Sequence, residues 1–224
     1  YLFTDTGAYM GRSLVTDIEG RVVFNLPDQP YKVRADYLGG QFWSAPFQFQ
    51  DAVVTVPMAE SVITVTGMGQ PLTGVTVYAF TAAGSYLNMY SVTDDAGQVS
   101  FSLPAGSYKF RADYQGTQYW SEETSLSAGQ ATAVAVSTGG GIFELTVAKG
   151  DGDPLEGVNC YVFTEAESYL GMTAATDTAG KVSFALADGT YKIRADYGGY
   201  QFWSETVTVP AILSTNLAIP HRDC

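Results

Sequence analysis

Histidine and cysteine are nearly missing from this chain. Its 224 residues hold one histidine, His221, and two cysteines, Cys160 and Cys224. That scarcity excludes a Ser–His–Asp triad, a Tyr/His iron site and a zinc site, each of which needs His or Cys clusters. Two cysteines make no disulfide framework either: Cys160 reads as a small buried hydrophobe, or else bridges to Cys224 within or between chains. Positive charge is also sparse, 11 Lys and Arg against 23 Asp and Glu for a net charge of −12. Such an acidic surface repels phosphate backbones, so nucleic acid is not an expected partner. No apolar run approaches the roughly 18 residues of a membrane helix, so no membrane span is expected in this stretch. An initiator Met and a signal peptide are absent too. The chain starts inside a repeat, which reads as a fragment or a processed product. No window carries a helical period, and no cofactor is expected.

What the chain has is repetition. YKVRADYLGGQFWS at 31–44 returns as YKFRADYQGTQYWS at 108–121 and as YKIRADYGGYQFWS at 191–204. Trp43, Trp120 and Trp203 are 77 and 83 residues apart, and YLFT, YAFT and YVFT keep the same spacing. Three units follow: a truncated one at 1–58, a complete one at 59–137, and a complete one with a C-terminal tail at 138–224. Within a unit, VITV, GVTVYAFT, QVSFSL, SYKFRADY, QYWSEETSL and TAVAVS are short and rich in β-branched and aromatic residues, and Gly, Pro and Asp separate them. That is the pattern of strands and tight turns, and about seven strands in some 80 residues make a small sandwich. TDDAGQ suits a turn in which Asp accepts backbone hydrogen bonds and Gly takes a positive φ. Asp94 and Asp95, or Asp151 and Asp153, superficially suit calcium, but nothing supplies a fuller ligand ring, so they read as turn formers.

The residues that recur most faithfully carry a family resemblance. Pro71, Leu72, Gly74, Val75, then Thr93, Asp94, Gly97, then Leu103, Pro104, Gly106, Tyr108 form one copy of a pattern. Pro154, Leu155, Gly157, Val158, Thr176, Asp177, Gly180, Leu186, Gly189 and Tyr191 form the next. The chain resembles prealbumin-like, immunoglobulin-like bacterial surface modules, among them carboxypeptidase regulatory-like domains and the B-type repeats of collagen adhesins. The resemblance implies an all-β fold, a tandem array of small immunoglobulin-like (prealbumin-like) β-sandwich modules. Some B-type modules carry a Lys–Asn isopeptide bond assisted by a Glu. Here Lys149 occupies the Lys position, but Ala195 stands where the Glu would be, so no such bond is expected.

Alternation assigns faces. In YKFRADY, Tyr108, Phe110, Ala112 and Tyr114 share one face and Lys109, Arg111 and Asp113 the other. Counting onward through QFWSAPFQF puts Trp43 in phase with Ala45, Phe47 and Phe49, and Trp203 in phase with Val207 and Val209. The three Trp therefore read as core anchors, with Phe42, Tyr119 and Phe202 facing outward beside Arg34, Arg111 and Arg194, within reach of a cation–π contact. Arg34, Arg111 and Arg194 are each followed two residues later by Asp36, Asp113 or Asp196. This pairing reads as a solvated charge row that guards a sheet against mispairing, in preference to a ligand site. Tyr78 and Phe80, repeated as Tyr161 and Phe163 and as Tyr1 and Phe3, make the outer face of a strand sticky, so an adjacent module, the GSYLNMY connection or another chain is expected to cover it. The first unit lacks the strands equivalent to SVITVTG and most of GVTVYAFT, which leaves an open edge that a neighbour could fill by strand addition, unless it belongs to a longer repeat array.

These features read as a non-enzymatic extracellular structural protein, a stalk or self-assembling filament whose partners are neighbouring copies or repeats. An adhesin or carbohydrate-binding module is the alternative. It would take a surface glycan or protein ligand on outward aromatics and loop residues Tyr9, Tyr86 and Tyr169. A non-catalytic accessory part of a secreted enzyme is a third reading.

Overall fold

The computed structural model describes residues 1–221. Among these there is no helix, and none is long and apolar enough to cross a membrane. The first unit contributes β1 (Leu2–Thr4), β2 (Tyr31–Tyr37) and β3 (Gly40–Trp43), which form one three-stranded sheet in the order β1-β2-β3. The second contributes β4 (Met58–Gly67), β5 (Gln70–Pro71), β6 (Thr76–Thr81), β7 (Tyr86–Val92), β8 (Gln98–Pro104), β9 (Gly106–Tyr114), β10 (Thr117–Trp120), β11 (Thr124–Leu126) and β12 (Ala131–Ser137). The third contributes β13 (Gly141–Lys149), β14 (Asn159–Thr164), β15 (Tyr169–Ala175), β16 (Lys181–Leu186), β17 (Gly189–Tyr197), β18 (Tyr200–Trp203), β19 (Val207–Val209) and β20 (Ser214–Ile219).

Each complete unit is two sheets face to face. In the second, β10-β9-β6-β7 with β11 against β9 faces a sheet centred on β4, which pairs antiparallel with β8 and parallel with β12. The third repeats this with β18-β17-β14-β15 plus β19, against β16-β13-β20. The alternation in each strand sends one set of side chains into the sandwich. Ile63, Val65, Phe101, Leu103, Val77, Phe110 and Val136 fill the second core, with the Phe101 and Phe110 rings stacked at 5.8 Å. Phe143, Leu145, Val162, Phe184, Tyr191 and Ile193 fill the third. Cys160 is buried there at the place Val77 holds in the second unit, and is a free thiol; Cys224 lies outside the described residues.

The recurring Thr-Asp-x-x-Gly turn ties the two sheets together. Thr93 is buried, its hydroxyl donating to the Leu72 carbonyl and accepting the Val75 amide, and Thr176 does the same with Leu155 and Val158. Asp94 Oδ1 accepts the amides of Ala96 and Gln98 at 2.9 and 2.8 Å, as Asp177 and Asp17 do in their own units. These carboxylates are turn formers, as their spacing implies. Gly97 has φ +70°, and a Cβ there would lie 2.7 Å from the Val65 carbonyl oxygen, so only glycine fits.

The first unit's described strands make one sheet only. Residues 21–27, RVVFNLP, correspond to β8, whose ladder partner is β4. Among the described residues RVVFNLP forms no strand, and Val15, Ile18, Val23, Phe49 and Val53 are all strongly exposed. A sheet strand without a neighbour has no partners for its backbone groups other than water.

Candidate functional site

On the outer face of β6, β9 and β10, the structure assembles an aromatic box around each arginine. The Arg111 guanidinium lies 4.7 Å from the Tyr78 ring centroid, 5.2 Å from Phe80 and 5.7 Å from Trp120. Asp113 holds it from the side with a two-pronged pair, Nε to Oδ1 at 2.7 Å and Nη2 to Oδ2 at 3.0 Å. Arg34 with Tyr1, Phe3, Trp43 and Asp36 repeats the cluster, as does Arg194 with Tyr161, Phe163, Trp203 and Asp196. The arginine side chains are only 19 or 20% exposed, so the row is a set of half-buried, stacked ion pairs rather than solvated charges. Phe80 and Phe163 are themselves buried, covered by Tyr86 and Trp120 and by Tyr169 and Trp203. The GSYLNMY connection, which folds as β7, therefore supplies much of the cover expected for this face.

The tryptophans and their neighbours are placed the other way round from the alternation argument. Trp43, Trp120 and Trp203 are 45, 44 and 37% exposed and pair across the ladder with Arg34, Arg111 and Arg194. Phe42, Tyr119 and Phe202 lie opposite Ala35, Ala112 and Ala195, and Tyr119 and Phe202 pack against the cores. The cause is a bulge that the sequence count steps over. Trp120 pairs with Arg111 and Thr124 with Tyr108, so four residues on one strand match three on the other. Trp203 to Val207 against Arg194 to Tyr191, and Trp43 to Phe47 against Arg34 to Tyr31, show the same mismatch. The serine after each Trp makes the bulge: Ser121 Oγ accepts the Phe110 amide at 3.0 Å while its own amide donates to the Phe110 carbonyl. Val207 is thus inward and Trp203 outward although they share parity.

The tips of the same hairpins form a second site, at the joints between units. All three have two residues at positive φ: Leu38 and Gly39 at +45° and +81°, Gln115 and Gly116 at +46° and +76°, Gly198 and Gly199 at +58° and +83°. Gly116 lies so close to Thr164 that a Cβ would come within 2.5 Å of its Cγ2, with Leu170 Cδ2 at 3.5 Å. Gly39 faces Thr81 and Leu87, which hold the corresponding places one unit earlier. The first two tips are each a plug in a socket of the next unit. The second joint is polar: Gln115 Nε2 donates to the Ala185 carbonyl at 3.1 Å, and Gln115 Oε1 accepts the Ala187 amide at 2.8 Å. Tyr119 donates to the Asp188 carbonyl, and Asp188 Oδ1 accepts the Gly140 amide at 2.7 Å. At the first joint, Pro104 stands where Ala187 is and has no amide to offer. Leu38 stands where Gln115 is and packs against the second core.

Other single positions are explained by their surroundings. Lys149 sits 3.7 Å from Asp153, and Ala195 is fully buried. Burial, followed by the nearby Asp196 carboxylate, pushes the Cys160 thiol up to about 12. Burial raises the Tyr191 phenol as well, with Tyr119 adding to it. Among the described residues no three His, Cys, Asp or Glu side chains cluster to hold a metal.

Two sandwiches, each with a Pro-Leu-x-Gly-Val strand locked to a Thr-Asp-x-x-Gly turn, decide the family. A family model described as the carboxypeptidase regulatory-like domain matches residues 60–138 and again 143–220. The chain belongs to this family. Both carboxypeptidase regulatory-like modules keep the Tyr corner in which Tyr108 donates to the Pro104 carbonyl and Tyr191 to that of Ala187. No curated protein matches the chain. Solved structures similar to it include the Bacillus anthracis TIE protein, at 15% identity over 86% of this chain with a TM-score of 0.33; this chain spans 41% of that one. A minor pilin of Streptococcus agalactiae is 14% identical over 72% of this chain and 94% of its own, with a TM-score of 0.42. The shaft pilin SpaA from Lactobacillus rhamnosus GG is 14% identical over 75% of this chain and 99% of its own, with a TM-score of 0.35.

Proposed function

We propose that this chain is a non-catalytic extracellular spacer, in which carboxypeptidase regulatory-like modules are set end to end as a stalk or filament at a cell surface. One observation carries the reading: the same hairpin plug enters the same socket at both joints, through Leu38–Gly39 and through Gln115–Gly116. A repeated joint fixes the angle between successive modules and makes a chain quasi-one-dimensional, which suits reach and stiffness rather than chemistry. The boxed arginines support this, since ion pairs stacked on aromatic rings stiffen a module's outer sheet. Small-angle scattering on the full chain tests it. A single extended distance distribution is expected, broadening in Gln115→Ala; a broad distribution in the unaltered chain would overturn the reading.

The binding-module reading has one observation in its favour, the exposure of Tyr9, Tyr86, Tyr169 and the three Trp. Beneath them, Tyr86 stands at 67° to the Tyr78 ring and Trp120 at 56° to the buried Phe80 ring. A glycan array probed with the chain and with Trp120→Ala checks this reading; binding lost in the variant would support it.

A further inference from the structure

In each complete module the first strand and the last lie side by side and run the same way. β12 pairs parallel with β4 from Ala131 on Glu60 to Ser137 on Thr66, and β20 with β13 from Ser214 on Glu144 to Ile219 on Lys149. Every other strand pairing within these two modules, among the described residues, is antiparallel. The first strand is also held on its other side, β4 by β8 and β13 by β16.

This arrangement decides how a pull on a module's two ends is carried. Tension enters the second module at Met58, the start of β4, and leaves at Ser137, the end of β12. Because the two strands are parallel, those points lie at opposite ends of one ladder, and the strands are dragged past each other along their axes. The ladder's hydrogen bonds then lie across the pull and share it, whereas a ladder opened from one end gives up its bonds singly. Packing opposes slippage too. A one-residue slide turns every side chain to the other face of the sheet, and Ile63, Val65, Val134 and Val136 are all buried. The path into the third module has no slack. Thr138 donates its amide to the Thr66 carbonyl and Met68 to the Gly139 carbonyl, while Asp188 Oδ1 accepts the Gly140 amide and β13 begins at Gly141.

We propose that the two parallel ladders, β4 with β12 and β13 with β20, are shear clamps set in series, which keep the modules folded while the chain is pulled lengthwise. The inference rests on the spacer reading for the source of the pull, whereas the clamp is a property of a single module. The bonds that carry it can be assigned. Glu60 donates its amide to the Gln130 carbonyl and Thr138 to that of Thr66, so in this register the amides of Thr132, Val134 and Val136 face β4 and those of Ala133 and Ala135 face away.

Single-molecule force spectroscopy on the full chain, held beyond its two ends, tests the clamp, since forced unfolding reads the unfolding barrier. Each complete module is expected to open in one step that lengthens the chain by roughly 250 Å, the stretched length of about 80 residues less the folded span. Handles at Thr55→Cys and Ala128→Cys, in a Cys224→Ser background, instead peel β4 from β12 starting at Glu60. Both positions are exposed, and the buried Cys160 takes no handle. The peak force of the second module is expected to fall several-fold in that geometry. With the original handles, Thr132→Pro removes a ladder donor and is expected to open at lower force. Ala135→Pro, on an edge strand with its amide turned away from β4, is expected to open as the unaltered chain does. Equal peak forces in the two pulling geometries overturn the clamp, and so do equal forces in the two proline variants. If Thr132→Pro does not fold, the two geometries decide alone, because they leave the ladder unaltered. A single extended distribution in scattering with equal forces in both geometries removes the clamp and leaves the spacer; a broad distribution with geometry-dependent forces does the reverse.

Discussion

Single side chains here do work that their chemical type does not announce. Arg111 is both the centre of an aromatic box and one half of a two-pronged pair with Asp113. Arg111→Lys keeps the charge but loses the planar fork and the stacking. It is expected to destabilise the second module by about 1–2 kcal/mol, read as a lower midpoint in chemical unfolding, with Trp120 emission shifted toward that of solvent-exposed indole. Cys160 shows how burial governs reactivity. Its thiol is raised from 9.0 to about 12, so the folded state keeps the proton that the unfolded state releases. The native chain is expected to leave Cys160 unlabelled by an aromatic disulfide reagent at pH 8, and to label it after denaturation. Stability tied to this thiol is full below pH 9 and is lost as pH rises from about 9 toward 12, because the unfolded state then binds fewer protons. Cys160→Val takes the residue found at position 77, and is expected to make the alkaline fall in unfolding free energy shallower than in the unaltered chain.

Among the elements, the RADY hairpin carries most of the organisation. Its first strand fills the core, its bulge turns the Trp outward, and in the first two units its tip joins the next. The strand pattern, the turns and the inward set Tyr108, Phe110 and Ala112 were all legible in the sequence, because alternation and Gly/Asp turn chemistry are local. The outward set was not. One extra residue between Trp120 and Thr124 shifts the parity, and only the ladder partners Arg111 and Tyr108 reveal it. A buried serine directly after each Trp, at Ser44, Ser121 and Ser204, is the sequence signal that could have marked the break. Gly116→Ala is expected to strain a turn residue at φ +76° and to drive a Cβ into Thr164. The expected loss is about 1 kcal/mol or more in stability. Increased amide exchange at Ala187, whose amide the Gln115 side chain now accepts, checks it. Gly199→Ala strains the same kind of turn without a neighbour to meet, so comparison of the two separates turn strain from the joint.

For the whole molecule, the joints set the shape. The second is hydrogen-bonded through Gln115, Tyr119 and Asp188, and the first is apolar through Leu38. Hydrogen bonds fix orientation more narrowly than apolar contact does, since they weaken steeply with angle. Tyr119→Phe with Gln115→Leu gives the second joint the residues that stand at the corresponding positions of the first hairpin, Phe42 and Leu38. The double variant is expected to widen the distance distribution in small-angle scattering while leaving the unfolding midpoints of the modules nearly unchanged.

The repeat, the all-β class, the turn residues and the inward set of the RADY strands follow from the order of the amino acids alone, because each depends on neighbours a few positions away. Three things waited on the tertiary structure: that the tryptophans face outward, that Asp113 and its counterparts pair with arginines set within aromatic boxes, and that the first two hairpin tips are plugs. Their partners lie far along the chain, as Gln115 does from Ala187, or across a ladder whose register a bulge had shifted. No periodicity within a strand carries that information.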